Sequence, residues 1–253
     1  PNYRTSDPDI YAVGDVIEVF HALTHKPTML PLAGPAQKQA RAAADHIYGL
    51  PVRNTGFIGS SCIKVFDYNA ASTGLTAAQC EKEGISYDIV YVIPQDRVGL
   101  MPGSCPLHYK LIYEVPTGKV LGAQAISKGD AAKRIDIVAT LIKFGGTVDD
   151  LRDLELCYAP PFSTAKDAGN HAGLAACNLL QGVFRQVRVD QVRELVESGA
   201  YIIDVREENE YAQGHITTAV NVPLSQIRQR MDEIPTDRPV YLHCRSSQRS
   251  YNA

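Results

Sequence analysis

Residues 111–123 read LIYEVPTGKVLGA, and this stretch decides the fold of the middle of the chain. Two apolar runs, Leu111–Val115 and Lys119–Ala123, flank the tripeptide Pro116-Thr117-Gly118. A short turn that contains Pro and Gly between two such runs is a strong signal for a β-hairpin. We therefore expect an antiparallel sheet built around this hairpin.

The neighbouring segments extend that prediction to a whole domain. Alternating residues indicate strands at Ser61–Asp67 and Tyr87–Val92, and helical spacing indicates helices at Asp130–Phe144 and from about Ala168 to Leu180. A run of strands mixed with helices of this kind is typical of an α+β domain. We assign this domain to residues 56–181.

Residues 1–55 have a different pattern. A short strand is predicted at Ile10–Val13, and it ends at Gly14-Asp15. A loop rich in Pro and Gly follows, and then a helix from about Ala36 to Tyr48. We therefore separate this segment from the middle domain.

Residues 182–253 alternate between helices and strands. The predicted elements are, in order, a helix at Val189–Ser198, a strand at Tyr201–Val205, a helix from Glu207, a helix at Ser225–Ile234 and a strand at Pro239–His243. Such alternation is typical of an α/β domain with a parallel sheet.

Composition excludes several classes of function. The formal net charge of -3 gives no electrostatic reason to expect binding to nucleic acid or to an anionic membrane. No apolar run approaches the roughly 20 residues of a membrane-spanning helix. The six cysteines form no CxxC pair, which argues against a zinc site and a disulfide framework and favours a reducing cytoplasm.

Since the chain begins at Pro1 within a strand-like segment and stops at Ala253 after a reactive-looking loop, we expect a fragment of a longer protein.

Cys244 differs from the other cysteines because it directly follows a predicted strand. In parallel α/β sheets, reactive groups lie where a strand ends and the next helix begins. Backbone amides of such a loop, together with Arg245 and Arg249, would stabilise an anion and make the thiol a nucleophile. From these residues alone, an inert cysteine beside solvated arginines is the more frequent case.

The residues ahead of Cys244 favour the reactive interpretation, because they closely resemble the rhodanese family. They are Ile203–Glu207, Glu210-Tyr211, Gly214–Ile216 and Ala219–Pro223. The resemblance implies that Cys244 carries a sulfane sulfur, cradled by the loop through Arg249. Related phosphatases of the same fold have a longer loop, since a phosphate is bulkier than one terminal sulfur.

Two departures from that family bear on activity. Ser247 stands where many relatives have Gly, and no helix is expected between the loop and the end of the chain. We therefore expect a truncated rhodanese domain with little or no activity. Asp204 and His215 are assigned structural roles, because a strand-end Asp and a turn His usually satisfy backbone groups.

The first segment resembles the second flavin-binding motif of the pyridine nucleotide-disulfide oxidoreductases at Thr5–Asp15. The stretch Pro31–Ala36 is similar to one that lies against the flavin at a helix start. The resemblance implies these cofactor-binding residues: Gly14, Asp15, Leu32 and Ala33. Since no GxGxxG motif occurs in the chain, we expect most of the FAD and NAD(P)H sites to lie in a missing N-terminal half.

The middle domain resembles the dimerisation domain of the same superfamily, which implies a homodimer. Leu156–Asp167 is similar to a segment shared by coenzyme A disulfide reductases, persulfide reductases and NADH oxidases. In the coenzyme A disulfide reductases, the tyrosine of this segment reaches across the dimer to a redox cysteine. Tyr158 would then stabilise or protonate a thiolate. A second tyrosine of those relatives is missing here, where Leu100–Gly103 occupies the stretch.

Three functional hypotheses follow from these resemblances. The favoured one is an FAD-dependent NAD(P)H reductase of coenzyme A disulfide, coenzyme A persulfide or polysulfide, with a rhodanese domain that delivers sulfane sulfur to it. The missing tyrosine near Leu100 favours the second, an NADH oxidase that reduces dioxygen at the flavin. The third, for the isolated chain, is a catalytically inactive dimerisation module. The expected partners are a second copy of the chain and a small thiol, disulfide or persulfide.

Overall fold

A computed structural model describes residues 2–253 of the chain. The chain divides into two compact units, Pro1–Gln181 and Gly182–Ala253. Among the described residues, no helix has both the length and the apolar character needed to cross a membrane.

The first unit opens with small elements and one long helix. Two short strands, β1 (Val19–Phe20) and β2 (Pro27–Thr28), pair antiparallel, and helix α1 (Ala33–Ile47) follows. The helix begins three residues before the predicted start, because Pro35 lies in its first turn, where a missing N–H costs nothing. The predicted strand at Ile10–Val13 is wrong. Only an isolated bridge between Tyr11 and Arg4 forms there, since no neighbouring strand offers a longer pairing.

The predicted antiparallel sheet is confirmed, and it has five strands. They are β3 (Ser61–Val65), β4 (Tyr68–Gly74), β5 (Tyr87–Val92), β6 (Leu107–Glu114) and β7 (Val120–Ser127), arranged in the order β3-β4-β7-β6-β5. The predicted hairpin joins β6 to β7 through a cis Val115–Pro116 peptide. Every neighbouring pair of strands in the sheet is antiparallel.

Most helices of the first unit pack on one face of this sheet, and α2 (Ala77–Glu83) packs on the other. The helices of the first unit after α1 are α2, α3 (Ala132–Phe144), α4 (Val148–Asp153) and α5 (Ala168–Leu180). Tyr109 and Leu111 of β6 are fully buried in a core that includes Val138 of α3 and Ala172 of α5. A smaller cluster on the other face contains Ile112. The α+β architecture predicted for this part of the chain is therefore confirmed.

The second unit has a three-stranded parallel sheet in the order β10-β8-β9. Its elements are α6 (Val192–Glu197), β8 (Tyr201–Asp204), α7 (Glu208–Ala212), β9 (Val220–Asn221), β10 (Val240–His243) and α8 (Gln248–Asn252). The predicted α/β pattern is confirmed, since both strand pairs are parallel. The predicted helix at Val189–Ser198 begins with a 3-10 turn, and only α6 is α-helical.

The predicted helix at Ser225–Ile234 is wrong. This stretch forms successive turns and a 3-10 helix at Met231–Glu233. The amide of Gln226 donates to the carbonyl of Pro223, and that of Gln229 donates to the carbonyl of Gln226, so bonds of the i to i+3 type replace the α-helical pattern.

The junction of β4 and β7 leads to a testable prediction at Gly122. A Cβ atom on Gly122 would lie 2.1 Å from the backbone oxygen of Leu75, which cannot rotate away. Gly122→Ala must therefore displace backbone, and we expect it to lower the free energy of unfolding by about 1–3 kcal/mol. Urea unfolding of the chain followed by circular dichroism measures this effect.

Gly99→Ala is the matched control, because nothing lies within 4 Å of a Cβ atom built on Gly99. Equal midpoints for the two variants would contradict the packing argument.

Candidate functional site

The loop that follows β10 surrounds the thiol of Cys244. Burial alone would raise the pKa of this thiol, but hydrogen bonds bring the pKa below its ordinary value. The donors are, in decreasing order of effect, the amides of Ser250 and Ser246, the hydroxyl of Ser250 and the amide of Arg249. The Ser250 hydroxyl lies 3.7 Å from the sulfur. The loop can therefore hold a sulfur anion with neutral N–H and O–H donors.

The side chain of Arg249 was expected to stabilise an anion at Cys244, but it is paired with a carboxylate. Its guanidinium pairs with Glu210 of α7 through two hydrogen bonds of 2.6 and 2.8 Å. The Arg249 hydrogen bonds lower the pKa of the Glu210 carboxyl to about 2. Since Glu210 largely balances the charge of the side chain, Arg249 contributes its backbone amide to Cys244 and fastens the end of the loop to α7.

The expectation that no helix follows the loop is wrong, because α8 begins at Gln248. Ser247, which stands where many rhodanese relatives have Gly, has a strained backbone. Its φ is +67°, in the left-handed region that glycine adopts without strain. Ser250 donates a hydrogen bond of 2.9 Å from its hydroxyl to the Ser247 carbonyl and holds the turn in place.

The other two polar residues of the rhodanese-like pattern make structural contacts. Asp204 is fully buried, and its carboxylate accepts hydrogen bonds from the backbone amide and guanidinium of Arg206. The ring of His215 stacks on that of Tyr211 with their centroids 3.7 Å apart, and its Nδ1 lies 3.0 Å from the Tyr211 carbonyl. Neither contact involves Cys244.

In the first unit, Tyr158 lies on an irregular segment between α4 and α5, which we call the tyrosine loop (Cys157–Ser163). The side chain of Tyr158 is 49% exposed, and its hydroxyl makes no hydrogen bond to any residue that the structure describes. Ser163 is buried, and its hydroxyl donates to the carbonyl of Cys157 at 3.3 Å, which closes the loop. The phenol is thus free to meet a ligand or a second chain.

A second loop, Asp96–Cys105, connects β5 to β6 beside the tyrosine loop and is here called the connecting loop. The amide of Val98 donates to the carbonyl of Pro160 at 3.3 Å, so the two loops touch. The side chain of Leu100 is almost fully exposed in this loop. Sequence reasoning missed what holds the two loops, which is the buried side chain of Arg134.

The four residues predicted to bind a cofactor lie at and near the start of α1. The amide of Gly14 donates to the side chain of Gln39 at 2.6 Å, which places Gly14 against this helix. Leu32 is the N-cap of α1 and Ala33 is its first residue. Asp15 is exposed, and within residues 2–253 its carboxylate has no hydrogen-bonding or ionic partner. Free helix amides and a free carboxylate suit the polar groups of a flavin cofactor.

The candidate functional residues therefore form three separate sites, two in the first unit and one in the second. The cofactor residues lie against α1 and Tyr158 lies between α4 and α5, both in the first unit. Cys244 lies in the second unit. Residues whose part sequence reasoning missed are Ser163, which closes the tyrosine loop, and Glu210 and Arg134, whose partners are distant in sequence.

Comparison with known proteins agrees with this division. Residues 60–168 match the family "Pyridine nucleotide-disulphide oxidoreductase, dimerisation domain", and residues 188–253 match "Rhodanese-like domain". A coenzyme A disulfide reductase of Staphylococcus epidermidis is 36% identical over 176 residues, which are 69% of this chain and 40% of that protein.

Two solved structures resemble the chain over 99% of its length, and it covers 45% of each of them. The reduced CoADR-RHD of Bacillus anthracis is 43% identical, with a TM-score of 0.95. The NAD-dependent persulfide reductase of A. fulgidus is 34% identical, with a TM-score of 0.89. The chain thus spans less than half the length of these relatives. It combines a pyridine nucleotide-disulfide oxidoreductase dimerisation domain with a rhodanese-like domain, and it corresponds to the C-terminal part of the relatives that carry both.

Proposed function

We propose that the chain is part of an FAD-dependent, NAD(P)H-linked reductase of small disulfides or persulfides, to which its rhodanese-like domain delivers sulfane sulfur. Residues 1–55 would be the end of the FAD-binding domain, residues 56–181 the dimerisation domain and residues 182–253 the sulfur-carrying domain. The observation that carries the proposal is the Cys244 loop, because a thiol with a lowered pKa accompanies a reductase dimerisation domain in one chain.

The sulfur-carrying step follows from the donors around Cys244. The thiolate attacks the outer sulfur of thiosulfate, a new S–S bond forms and sulfite leaves with the electron pair of the broken S–S bond. The product is a Cys244 persulfide whose terminal sulfur carries the negative charge. The amides of Ser246, Arg249 and Ser250, which already stabilise the thiolate, would stabilise this anion in the same way.

Tyr158 would act on the reductase side of the protein. Its half-exposed phenol can donate a hydrogen bond to a thiolate that leaves when a disulfide is cleaved. The tyrosine loop fixes the backbone on both sides of the phenol, so little freedom is lost when a substrate binds.

FAD would be held in part by the region around α1. The Asp15 carboxylate would accept a hydrogen bond from a cofactor hydroxyl, and the exposed first turn of α1 at Ala33 would face a cofactor oxygen. FAD supplies two-electron transfer from NAD(P)H when it is bound. The groups that bind its pyrophosphate and NAD(P)H would belong to the rest of the protein.

A homodimer is also part of the proposal. Ile63, Tyr91 and Ile126 are exposed on the sheet face opposite to Tyr109 and Leu111. Exposed apolar side chains on this face gain stability when a second copy removes them from water. A symmetric contact of this kind buries the same patch on both copies.

An NADH oxidase that reduces dioxygen at the flavin is the second candidate function. It is favoured by the exposed Leu100 in the connecting loop, where coenzyme A disulfide reductases place a second tyrosine. Without that phenol, one of two donors to a leaving thiolate is lost. Dioxygen reduction at the flavin needs neither donor.

The lowered pKa of Cys244 predicts its reactivity with pH. Iodoacetamide should label Cys244 with a lower midpoint than a free cysteine, because the thiolate dominates above the lowered pKa. Ser250→Ala removes the hydroxyl donor and should raise the midpoint. Ser246→Ala is the control, since Ser246 donates its backbone amide. Peptide mass spectrometry across a pH series measures both, and an unshifted midpoint in Ser250→Ala would contradict the loop's role.

The sulfur-transfer step predicts a covalent adduct. After treatment with thiosulfate, the chain should gain the mass of one sulfur atom on the Cys244 peptide, because α8 and the three amides are in place. Cys244→Ser should abolish both the adduct and thiosulfate:cyanide sulfur transfer. In the full-length protein the same variant should leave reduction of a small disulfide nearly unchanged. An adduct on Cys62, the exposed control thiol, in place of Cys244 would refute the assignment.

The role of Tyr158 predicts a selective loss of activity in the full-length protein. Tyr158→Phe removes one hydroxyl and should lower kcat for disulfide or persulfide reduction by about 10²–10⁴-fold while flavin content stays the same. Tyr68→Phe is the control, because Tyr68 is similarly exposed but lies on β4. A wild-type rate in Tyr158→Phe would show that the ring only packs, and an effect confined to dioxygen reduction would favour the oxidase.

A further inference from the structure

Arg134 of α3 is a charged side chain in the core of the first unit. It is 2% exposed and is the largest of the fully buried side chains. Removing a guanidinium from water is costly, and a buried ion pair seldom stabilises a fold more than apolar packing would. Its contacts are therefore informative about what the buried charge does.

The guanidinium joins segments that are distant in sequence. Its Nε and Nη2 atoms both lie 3.1 Å from an oxygen of the buried Asp167 carboxylate, which balances the charge. Nη2 also donates to the carbonyl of Asp96 at 2.7 Å and to that of Phe162 at 3.4 Å. Nη1 donates to the Asp130 carbonyl at 3.0 Å. One nitrogen therefore bonds to both the connecting loop and the tyrosine loop.

The connecting loop is closed at the same residue that Arg134 holds. The carboxylate of Asp96 accepts the amide of Cys105 at 3.0 Å and the guanidinium of Arg97 at 2.8 Å. Its carbonyl accepts from Arg134. Asp96 thus fixes the two ends of the connecting loop to each other, and Arg134 fixes that loop to the core.

The tyrosine loop depends on Arg134 in a similar way. The carbonyl of Phe162 accepts from Arg134, and the amide of Phe162 donates to the carbonyl of Ala159 at 2.9 Å. Ser163 donates its hydroxyl to the carbonyl of Cys157, next to Tyr158. A continuous series of hydrogen bonds therefore runs from the buried guanidinium to the backbone that carries the phenol.

We infer that Arg134 is a positioning residue, which clamps the tyrosine loop to the connecting loop and so fixes the place of the Tyr158 phenol. The inference rests on the proposed function of Tyr158. Arginine is required because its planar fork donates in several directions at once, whereas a lysine is a point charge. A charge that was needed only to pair with Asp167 could be supplied by either residue.

The test uses the full-length protein with coenzyme A disulfide as the substrate. Arg134→Lys keeps the charge but cannot reach all of the carbonyls. Ser163→Ala loosens the tyrosine loop alone. It provides an independent test of the loop if Arg134→Lys does not fold. Arg152→Lys is the matched control, because Arg152 pairs with Asp149 and Asp153 and its side chain has no hydrogen bond to either loop among the described residues.

Hydrogen exchange tests the clamp itself. Arg134→Lys should raise amide exchange in peptides that cover residues 96–105 and 157–163, and Ser163→Ala should raise it in the second peptide only. Peptides from β6 should be unchanged in all variants, which separates a local release from global destabilisation. Unchanged exchange in both loops of Arg134→Lys would overturn the inference.

Kinetics test the consequence for Tyr158. A misplacement of about 1 Å can cost on the order of 10²-fold, so Arg134→Lys should lower kcat by up to that factor and leave both KM and flavin reduction by NAD(P)H unchanged. In the Tyr158→Phe background, Arg134→Lys should cause no further loss. A full further loss in that background would overturn the positioning role. A wild-type kcat in Tyr158→Phe alone would instead refute the proposed function of Tyr158. The hydrogen-exchange experiment would then still test whether Arg134 holds the two loops together.

Discussion

The five-stranded antiparallel sheet is the constraint on which the first unit depends, because β5 and β6 hold the ends of the connecting loop, and the helices on either side of the tyrosine loop pack against the sheet. The connecting loop joins β5 to β6, and the tyrosine loop joins α4 to α5. Tyr109 and Leu111 of β6 pack in the same core as α5, so strand and helix cannot move independently. The position of Tyr158 is thus a consequence of how the helical layer packs on the sheet.

In both units, arginines that are paired with carboxylates hold loops in position, and neutral hydrogen-bond donors face the candidate thiolates. Three guanidiniums near the candidate sites each have a carboxylate partner: Arg134 pairs with Asp167, Arg206 with Asp204, and Arg249 with Glu210. A charge that is already balanced attracts a substrate anion weakly. The groups that the structure places for a thiolate include the backbone amides around Cys244 and the phenol of Tyr158. Both are hydrogen-bond donors that do not change the net charge of the site.

Sequence reasoning succeeded where the signal was local and failed where it depended on partners. The β6–β7 hairpin and the helix Ala168–Leu180 follow from patterns within a few residues, and the structure has them where they were expected. The strand expected at Ile10–Val13 needed a partner that the described residues do not provide. The helix expected at Ser225–Ile234 had suitable residues, but turns satisfy its amides instead. Propensity is a weak guide when tertiary contacts decide.

The same distinction separates the site residues that sequence could indicate from those it could not. Cys244 and Tyr158 were found through motifs, which are contiguous in the chain. The bond between Arg134 and Phe162 spans 28 positions, and that between Arg249 and Glu210 spans 39. No spacing rule links residues so far apart. A buried arginine is also indistinguishable in sequence from an exposed one on the same helix.

Ser247 shows how a departure from a family pattern acquires a physical meaning. A side chain at φ +67° costs about 1–2 kcal/mol relative to glycine, which is the reason that glycine is common at such a position. The hydrogen bond from the Ser250 hydroxyl to the Ser247 carbonyl offsets part of this cost. The same hydroxyl also lies 3.7 Å from the Cys244 sulfur. The Ser250 hydroxyl has a single proton, which the Ser247 carbonyl and the Cys244 sulfur therefore compete for. A change in the charge on sulfur is thus coupled to the conformation of the loop that holds it.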